Sequence, residues 1–219
     1  MKTAIFCDFD GTISRRDVGY NIFRHFSGGR NELLLPDWKA GRLSTRDCLR
    51  QEAAMVKATP DELYRYIDQF ELNAGFHQFV ATCVQHEIPL HVASDGLDFY
   101  INHILEKNNL AHLSVVTNKA VLENGGITVE FPHDNVSCRR CGICKGERIQ
   151  EYRRQTNDEY KIIFIGDGYS DACGAREADI VFAKKDLEQY CERQNIDYFP
   201  YDTFFDVVDR MGKLGHLVS

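Results

Sequence analysis

The chain has 219 residues, of which 43% are hydrophobic and 27% are charged, and its formal net charge is −7. This length can bury a sizeable core in one domain with a small insert, and the composition is that of an ordinary globular protein. The acidic net charge argues against a general nucleic-acid-binding protein, which needs a basic face. No apolar run reaches the roughly 20 residues of a membrane span.

Near-continuous apolar runs predict five buried strands. Unbroken hydrophobicity, as opposed to alternation, is typical of parallel strands covered on both faces. The predicted strands are 3–7, 89–93, 113–117, 161–165 and 180–183. Helical patterns lie at 75–85, 97–108, 146–154, 170–177 and 187–194. This alternation predicts an α/β fold, a doubly wound parallel sheet in three layers whose ligands bind beyond the carboxyl ends of the strands.

Residues 14–75 interrupt the alternation and predict a helical insert after the first strand. Its helical patterns lie at 18–26, 44–56 and 60–69. The core domain would then comprise residues 1–13 and 76–219. Within it, the segment VLENGGITVEF (121–131) has Asn-Gly-Gly between two β-prone runs and predicts a hairpin. Residues 201–219 predict a last amphipathic helix and a tail.

The segment DFDGT (8–12) ends the first strand with two carboxylates one residue apart. Residues i and i+2 of a strand face the same way, so Asp8 and Asp10 converge if the extended geometry persists. Two convergent carboxylates repel each other unless a cation lies between them or one takes a proton. A hard divalent ion with oxygen ligands fits this pair, and Mg²⁺ is the natural choice.

A second buried strand ends in the same manner, with Gly166 followed by Asp167. Asp167 should therefore lie at the same edge of the sheet as Asp8. Asp171 falls in the first turn of the following helix, where a carboxylate suits the helix N-terminus. Asp171 is therefore either a further ligand at this edge or a simple capping residue.

Two more motifs point to an anion at this edge. The segment Ser94-Asp95-Gly96 ends a strand and precedes a helix, whose free N–H groups suit a negatively charged ligand. Lys145 opens another predicted helix, which is an unfavourable place for a cation. A buried partner such as a phosphate or Asp8 would compensate for that position.

In chain order, these motifs resemble the haloacid dehalogenase superfamily of phosphotransferases. The match spans almost the whole chain, and the insert resembles the helical cap of the first type in that superfamily. Two stretches, FVATCVQHEIPLHVASDGLDFY and CERQNIDYFPYDTFFDV, more closely resemble the branch that acts on 2-hydroxy-3-keto-5-methylthiopentenyl-1-phosphate in methionine salvage. Neighbouring branches act on phosphoserine, phosphoethanolamine or phosphocholine. The resemblance implies a Mg²⁺-dependent phosphatase of a small phosphorylated metabolite.

The resemblance also implies roles for the motif residues. Asp8 would be the nucleophile that takes the phosphoryl group as an aspartyl-phosphate. Asp10 would protonate the leaving oxygen and later deprotonate the attacking water. The Mg²⁺ ligands would be the Asp8 carboxylate, the Asp10 backbone carbonyl, Asp167 and, directly or through water, Asp171. The transferring oxygens would be neutralised by Thr12, Ser94 and Lys145.

Four further residues are predicted to contact the substrate. Asp95 and Gly96 adjoin Ser94, although many relatives have glycine in place of Asp95. A carboxylate there should repel a phosphate unless it faces away or caps the helix. In the insert, Asp17 falls where phosphoserine phosphatases carry a glutamate that meets the substrate's amine, and Arg50 falls near their carboxylate-binding arginine. Either charge is alternatively a solvated helix residue.

Three cysteines are closely spaced before Lys145. Cys138, Cys141 and Cys144 have two residues between neighbours, and His133 lies upstream. Cys-x-x-Cys-Gly resembles a zinc knuckle, and these thiolates with His133 would complete a tetrahedral, structural Zn²⁺ site. The alternative is an exposed loop of reduced thiols. The other five cysteines are predicted to be small core residues: Cys7, Cys48, Cys83, Cys173 and Cys191.

Two classes of function stay open. One is the Mg²⁺-dependent phosphatase, and the other is a non-catalytic binding module that uses the cysteine loop as its interaction surface. The intact Asp8, Asp10 and Asp167 favour the enzyme. The first apolar stretch is too short for a secretion signal, so we expect a cytoplasmic protein with reduced thiols and no nucleic-acid or membrane partner.

Overall fold

A seven-stranded sheet lies at the centre of the computed structural model, which describes residues 2–123, 125–133 and 135–217. The strands are β1 (Lys2–Cys7), β2 (Leu90–Leu97), β3 (Ser114–Glu123), β4 (Gly126–Glu130), β5 (Tyr160–Gly166), β6 (Ile180–Ala183) and β7 (Phe199–Pro200). Their order is β4-β3-β2-β1-β5-β6-β7. β4 is antiparallel to β3, and all other neighbouring strands are parallel. The predicted α/β fold with a mostly parallel sheet is confirmed.

Helices cover both faces of this sheet. The α-helices of the described residues are α1 (Val18–Ser27), α2 (Leu35–Lys39), α3 (Thr45–Met55), α4 (Pro60–Ile67), α5 (Phe76–Gln85), α6 (Asp98–Lys107), α7 (Lys145–Gln155), α8 (Ala172–Glu177), α9 (Lys185–Gln194) and α10 (Phe204–Lys213). Ile5 and Cys7 of β1 belong to an apolar cluster with α5, α6 and α10. Ala4 and Phe6 belong to a second cluster with α7, α8 and α9. Because successive side chains of a strand face opposite sides, the sheet is the middle of three layers.

The chain between β1 and α5 is mainly helical and contains α1 to α4. The predicted patterns at 18–26, 44–56 and 60–69 correspond to α1, α3 and α4, whereas the short α2 was not predicted. The two ends of this segment run side by side, because Ser14 and Leu72 form an antiparallel bridge. The Asn73 N–H also donates to the Ile13 carbonyl at 2.7 Å. Both ends therefore meet the core close to the carboxyl end of β1.

Two strands are longer than their apolar runs predict. β2 continues to Leu97, and β3 continues through the polar Asn118 into the predicted hairpin. Asn118 is buried, and its amide nitrogen donates to the Asp95 carbonyl at 2.7 Å, which ties β3 to the end of β2. The antiparallel pairing of β3 and β4 agrees with the predicted hairpin, but Asn124 of its turn lies outside the described residues, as do Val218 and Ser219 of the predicted tail.

The last helical pattern corresponds to α10, which ends at Lys213. The short strand β7 precedes it and was not predicted, since two residues carry no periodic signal. In the part of the chain that the structure describes, no helix combines the length and the apolar character that crossing a membrane requires.

Candidate active site

Acidic side chains meet where the central strands end. Asp8 follows β1 and Asp167 follows β5, and these two strands are neighbours in the sheet. The chain turns sharply after Asp10, where Gly11 has a φ of +77°. A Cβ atom at Gly11 would collide with the Asp167 carboxylate, so only glycine allows this close approach. The turn therefore lets the chain after Asp10 pass directly against the Asp167 carboxylate.

Three carboxylates form a tight buried group at this edge. Oxygens of Asp8, Asp167 and Asp171 all lie within 4.8 Å of one another. Lys145 is fully buried, and its Nζ donates to Asp8 Oδ1 at 2.6 Å and also contacts Asp171 Oδ1. Lys185, which is more than half exposed, donates to Asp167 Oδ2 at 2.8 Å. The predicted grouping of Asp8, Asp167, Asp171 and Lys145 is thus what the geometry shows.

Burial and mutual repulsion set the charge state of this group. Burial raises the pKa of Asp8, the charge of Asp171 raises it further, and Lys145 opposes both. Burial also raises the pKa of Asp167, again with Asp171 adding to the effect and Lys185 opposing it. Burial favours neutral Lys145, but the charges of Asp171 and Asp8 outweigh it and raise its pKa. The lysine therefore stays charged, and the carboxylates remain under-compensated.

The donor set fits a hard divalent cation. Three carboxylates are in direct contact with two lysines, so one negative charge has no lysine partner. Carboxylate oxygens are the ligands that Mg²⁺ prefers, and a phosphoryl group entering the site would add further negative charge. The residues that could hold Mg²⁺ are Asp8, Asp167 and Asp171. The predicted contribution from the Asp10 backbone carbonyl stays a prediction.

Asp10 is held apart from this group by three donors. Its Oδ1 accepts from the backbone N–H groups of Val18 at 2.8 Å and Gly19 at 3.1 Å, at the start of α1. Its Oδ2 accepts from the Tyr100 hydroxyl at 2.6 Å. Burial raises the pKa of Asp10, and the hydrogen bond from Tyr100 is the largest opposing effect. Asp10 is therefore oriented both by the start of α1 and by α6, as its predicted acid–base role requires.

Tyr100 is a positioning residue that the sequence did not reveal. We expect Tyr100→Phe to lower kcat by roughly 10- to 100-fold, because a hydrogen bond to a charged group contributes about 1.5–3 kcal/mol. That bond lowers the pKa of Asp10, which is predicted to act as the general acid in its protonated form. Its loss should therefore also move the alkaline limb of the kcat/KM profile to higher pH. Tyr66→Phe, whose ring packs against Phe26 away from the carboxylates, is the matched control. An unshifted limb in Tyr100→Phe would contradict the positioning role.

The remaining motif residues have distinct environments. The buried Thr12 hydroxyl donates to Asp167 Oδ1 at 3.3 Å, so it contacts a carboxylate of the group. Ser94 is buried and accepts from the Gly96 N–H at 3.0 Å. Asp95 Oδ1 accepts from the Ile143 N–H at 2.7 Å, which ties it to the segment before Lys145. Burial raises the pKa of Asp95 to about 6, and this hydrogen bond opposes the rise.

A cavity of about 460 Å³ opens over the carboxylates. Its walls come from the core and from the helical segment: Asp8, Asp10, Asp17, Tyr20, Phe23, Leu35, Trp38, Leu49, Glu52, Ser94, Asp95, Gly96, Asp167 and Tyr169 are among the lining residues. Asp17 lines it and caps α1 through the Tyr20 N–H at 2.8 Å, and its predicted contact with substrate stays a prediction. Glu52 was not predicted. Burial raises its pKa to about 7.

Arg50 does not line this cavity in the structure, and its predicted contact with substrate stays a prediction. Its guanidinium lies over the Phe131 ring at 4.7 Å and pairs with Asp47 at 3.5 Å. The reason is the register of α3, which buries Leu49 and Glu52 on its inner face. A residue one position after Leu49 is rotated by about 100° on a helix and so points elsewhere.

The three cysteines before Lys145 lie close to a different fourth residue from the predicted His133. The sulfurs of Cys138, Cys141, Cys144 and Cys173 lie within 4.8 Å of one another, and His133 is not part of this group. Cys173 belongs to α8, two residues after Asp171, so it was wrongly interpreted as an ordinary core residue. The spacing of the first three cysteines could not reveal it, because α8 comes from a distant part of the sequence.

Comparison with known proteins agrees with this geometry. The haloacid dehalogenase-like hydrolase family matches residues 5–176. The chain is 33% identical over 226 residues to the 2-hydroxy-3-keto-5-methylthiopentenyl-1-phosphate phosphatase of Bacillus cereus (strain 03BB102), covering 100% of this chain and 99% of that protein. It is 32% identical over 223 residues to the enzyme of the same name from Bacillus thuringiensis (strain Al Hakam), with the same coverage.

A solved structure shares the fold at lower identity. It is a phospho-aspartyl intermediate analogue of phosphoserine phosphatase, with a TM-score of 0.73, 18% identity, and coverage of 95% of this chain and 98% of that chain. At this identity the likeness concerns the fold alone. The family match and the full-length phosphatase relatives decide the classification. The chain is a phosphatase and belongs to the haloacid dehalogenase-like hydrolase family.

Proposed function

We propose that this phosphatase is a Mg²⁺-dependent phosphomonoesterase that hydrolyses 2-hydroxy-3-keto-5-methylthiopentenyl-1-phosphate through an aspartyl-phosphate on Asp8. The observation that carries the mechanism is the buried group of Asp8, Asp167 and Asp171 around the Lys145 ammonium. The substrate assignment rests on the full-length relatives that bear this substrate's name, at 32–33% identity.

In this proposal the reaction has two steps, the phosphorylation of Asp8 and the hydrolysis of the aspartyl-phosphate. An Asp8 carboxylate oxygen attacks phosphorus, the ester bond breaks, and Asp10 gives its proton to the leaving oxygen. Asp10 then takes a proton from water, the water oxygen attacks phosphorus, and phosphate leaves with the Asp8 carboxylate restored. Mg²⁺ held by Asp8, Asp167 and Asp171 would neutralise charge on the phosphoryl oxygens. Lys145 holds the Asp8 carboxylate in place throughout.

The helical segment 14–75 acts as a cap domain in this proposal, with 1–13 and 76–219 as the core. Its helices supply the outer wall of the cavity, and the first N–H groups of α1 orient Asp10. Excluding water there strengthens the electrostatic interactions of the phosphoryl group and prevents side reactions. The cap would therefore both choose the substrate and complete the acid–base group.

The cavity wall favours an uncharged, partly apolar group next to the phosphate. Phe23, Leu35 and Leu49 line it beside Trp38, and these suit a thioether chain. Phosphoserine is a poorer match, because Arg50 lies outside the cavity and Lys185 is already paired with Asp167.

One observation favours a second candidate substrate. Asp17 and Glu52 are carboxylates of the cavity wall, and neither is paired with a cation among the ion pairs of the described residues. Together with the Trp38 ring they could receive the cationic head group of phosphoethanolamine or phosphocholine. A non-catalytic binding module is not favoured. For the compartment we propose the cytoplasm, where eight cysteines stay free of disulfide bonds.

The test is a comparison of kcat/KM for the four phosphorylated compounds in Mg²⁺. We expect the pentenyl phosphate to exceed phosphoethanolamine, phosphocholine and phosphoserine by about 100-fold or more, the discrimination that a shaped pocket can give. EDTA should stop turnover, Mg²⁺ should restore it, and Ca²⁺ should restore it poorly because its coordination shell is larger and looser. Glu52→Gln and Asp17→Asn should leave the pentenyl phosphate preference intact. If phosphocholine or phosphoethanolamine is preferred, and these variants abolish that preference, the second candidate is correct.

A further inference from the structure

Four thiols converge outside the catalytic group. Three come from the segment before α7, which we call the cysteine loop (135–144), and the fourth is Cys173 of α8. We propose that these four cysteines bind one zinc ion, which joins the cysteine loop to α8. The ligands are Cys138, Cys141, Cys144 and Cys173.

The spacing of the sulfurs indicates a single ion. All four lie within 4.8 Å of one another. A tetrahedral zinc with bonds of about 2.3 Å to sulfur places its ligands about 3.8 Å apart. Clusters of several irons need their cysteines further apart than one ion does. Four soft thiolates in a closed tetrahedron are the ligand set of structural zinc sites.

The loop is shaped by bonds that do not involve the thiols. The Asn135 amide donates to the Cys141 carbonyl at 2.8 Å and accepts from the Cys144 N–H at 3.1 Å. The Glu147 carboxylate accepts from the N–H groups of Ser137 at 2.8 Å and Cys138 at 2.6 Å. These side chains fold the backbone so that the sulfurs face inward, as outer partners of metal ligands do.

Charge around the thiols supports an anionic site. A zinc ion with four thiolates carries two net negative charges, so neighbouring cations stabilise it. The Arg176 guanidinium lies 3.4 Å from the Cys173 sulfur, one turn further along α8. Cys141 and Cys144 are buried, which protects the ion from exchange, whereas Cys138 and Cys173 are partly exposed.

The ion would lie directly behind the catalytic ion pair. Cys144 is bonded to Lys145, and Cys173 follows Asp171 by two residues. α7 and α8 also pack closely, since a Cβ at Gly146 would lie 2.6 Å from the Cys173 carbonyl oxygen. Zinc would therefore hold both partners of the Lys145–Asp171 pair at fixed separation. Its role is structural, because none of its ligands belongs to the cavity wall.

The loop also touches the helical segment. Arg140 donates to the Gly41 carbonyl at 2.7 Å and to the Leu43 carbonyl at 3.3 Å. The Arg46 N–H donates in turn to the Arg140 carbonyl at 3.1 Å. An ordered cysteine loop thus supports one side of the helical segment as well as the catalytic lysine.

The test is the metal content of the full chain, purified without a histidine tag and without chelators. We expect about one zinc per chain by elemental analysis. After dialysis, Cys173→Ser and Cys141→Ser should each contain at least about tenfold less zinc than the wild type. Changing a residue that only contacts a metal ligand can already weaken metal binding by that factor. His133→Ala and Cys191→Ser, a buried thiol outside the group, are the matched controls and should keep a full equivalent.

A second measurement does not depend on how the variants fold. Wild-type protein reloaded with Co²⁺ should show the intense sulfur-to-metal charge-transfer bands and the visible bands of a tetrahedral tetrathiolate. Wild-type protein without a tightly bound metal would overturn the proposal, and so would iron in place of zinc. Zinc lost from His133→Ala but kept by Cys173→Ser would overturn the ligand set. None of these readouts depends on phosphatase activity.

Discussion

Asp8→Asn is expected to lower kcat by more than about 10⁴-fold, beyond the 10²–10⁴-fold typical of losing one acid–base group. The amide has the shape of the carboxylate but cannot attack phosphorus, so no phosphoryl-enzyme can form. The hydrogen bond from Lys145 can still be accepted by the amide oxygen. Steady-state kinetics of purified Asp8→Asn measure the loss of kcat, and circular dichroism confirms that the variant is folded. Turnover near the wild-type value in a folded Asp8→Asn protein would refute the nucleophile.

The same substitution should not lower stability, and this separates chemistry from folding. Burial and Asp171 raise the pKa of Asp8 in the folded protein above its value in the unfolded chain. The folded protein therefore loses stability as the pH rises from the unfolded-state pKa through the folded-state pKa and Asp8 ionises. A neutral amide removes this cost at any pH where Asp8 would be ionised. The midpoint of thermal unfolding without Mg²⁺ should therefore be equal to or above that of the wild type. Asp209→Asn, which removes an exposed pair with Lys213, serves as the control with unchanged activity.

Lys145→Met is expected to destabilise the protein by about 3–5 kcal/mol and to abolish turnover. Removing one partner of a buried ion pair leaves the other charges uncompensated, and here two carboxylates, Asp8 and Asp171, lose their shared cation. Lys185→Met is the matched control for stability. The Lys185 side chain is more than half exposed, so losing its ion pair with Asp167 should lower the free energy of unfolding by only about 0–1 kcal/mol.

The pH dependence of Lys145→Met follows from the same contact. Lys145 lowers the pKa of Asp8, so without it that pKa rises further. The stability deficit should therefore grow as the pH rises through the raised pKa of Asp8 and the carboxylate ionises, and should shrink as the pH falls and Asp8 becomes protonated. Urea unfolding near neutral pH and at mildly acidic pH measures this difference. A deficit equal to that of Lys185→Met at every pH would contradict the role of the buried ammonium.

The strands and the acidic residues at their ends could be predicted because both are local signals. Buried parallel strands are continuous apolar runs, and a run that ends in Asp8 or Asp167 places a carboxylate at a known edge of the sheet. Lys145 was predictable for a similar reason, since a lysine at a helix start needs a nearby anion. In the structure that anion is a pair of carboxylates.

Residues that depend on tertiary packing gave no such signal. Tyr100 is one aromatic residue of an amphipathic helix, and only the packing of α6 brings its hydroxyl to Asp10. Cys173 joins the cysteine loop because α8 packs against α7. Arg50 was assigned from its nearness to an arginine of phosphoserine phosphatases, and that resemblance carries no information on the register of α3, which places Arg50 over Phe131.

The covalent step on Asp8 is tested most directly by acid quench of Asp10→Asn during turnover of p-nitrophenyl phosphate. The nitrophenolate leaves without a proton, so Asp8 should still be phosphorylated, but water is no longer activated and the phosphoryl-enzyme should accumulate. Mass spectrometry should then find about one phosphoryl group per chain, on the peptide that contains Asp8. A phosphoryl group on another residue would contradict the mechanism, and so would steady release of phosphate with unmodified Asp8.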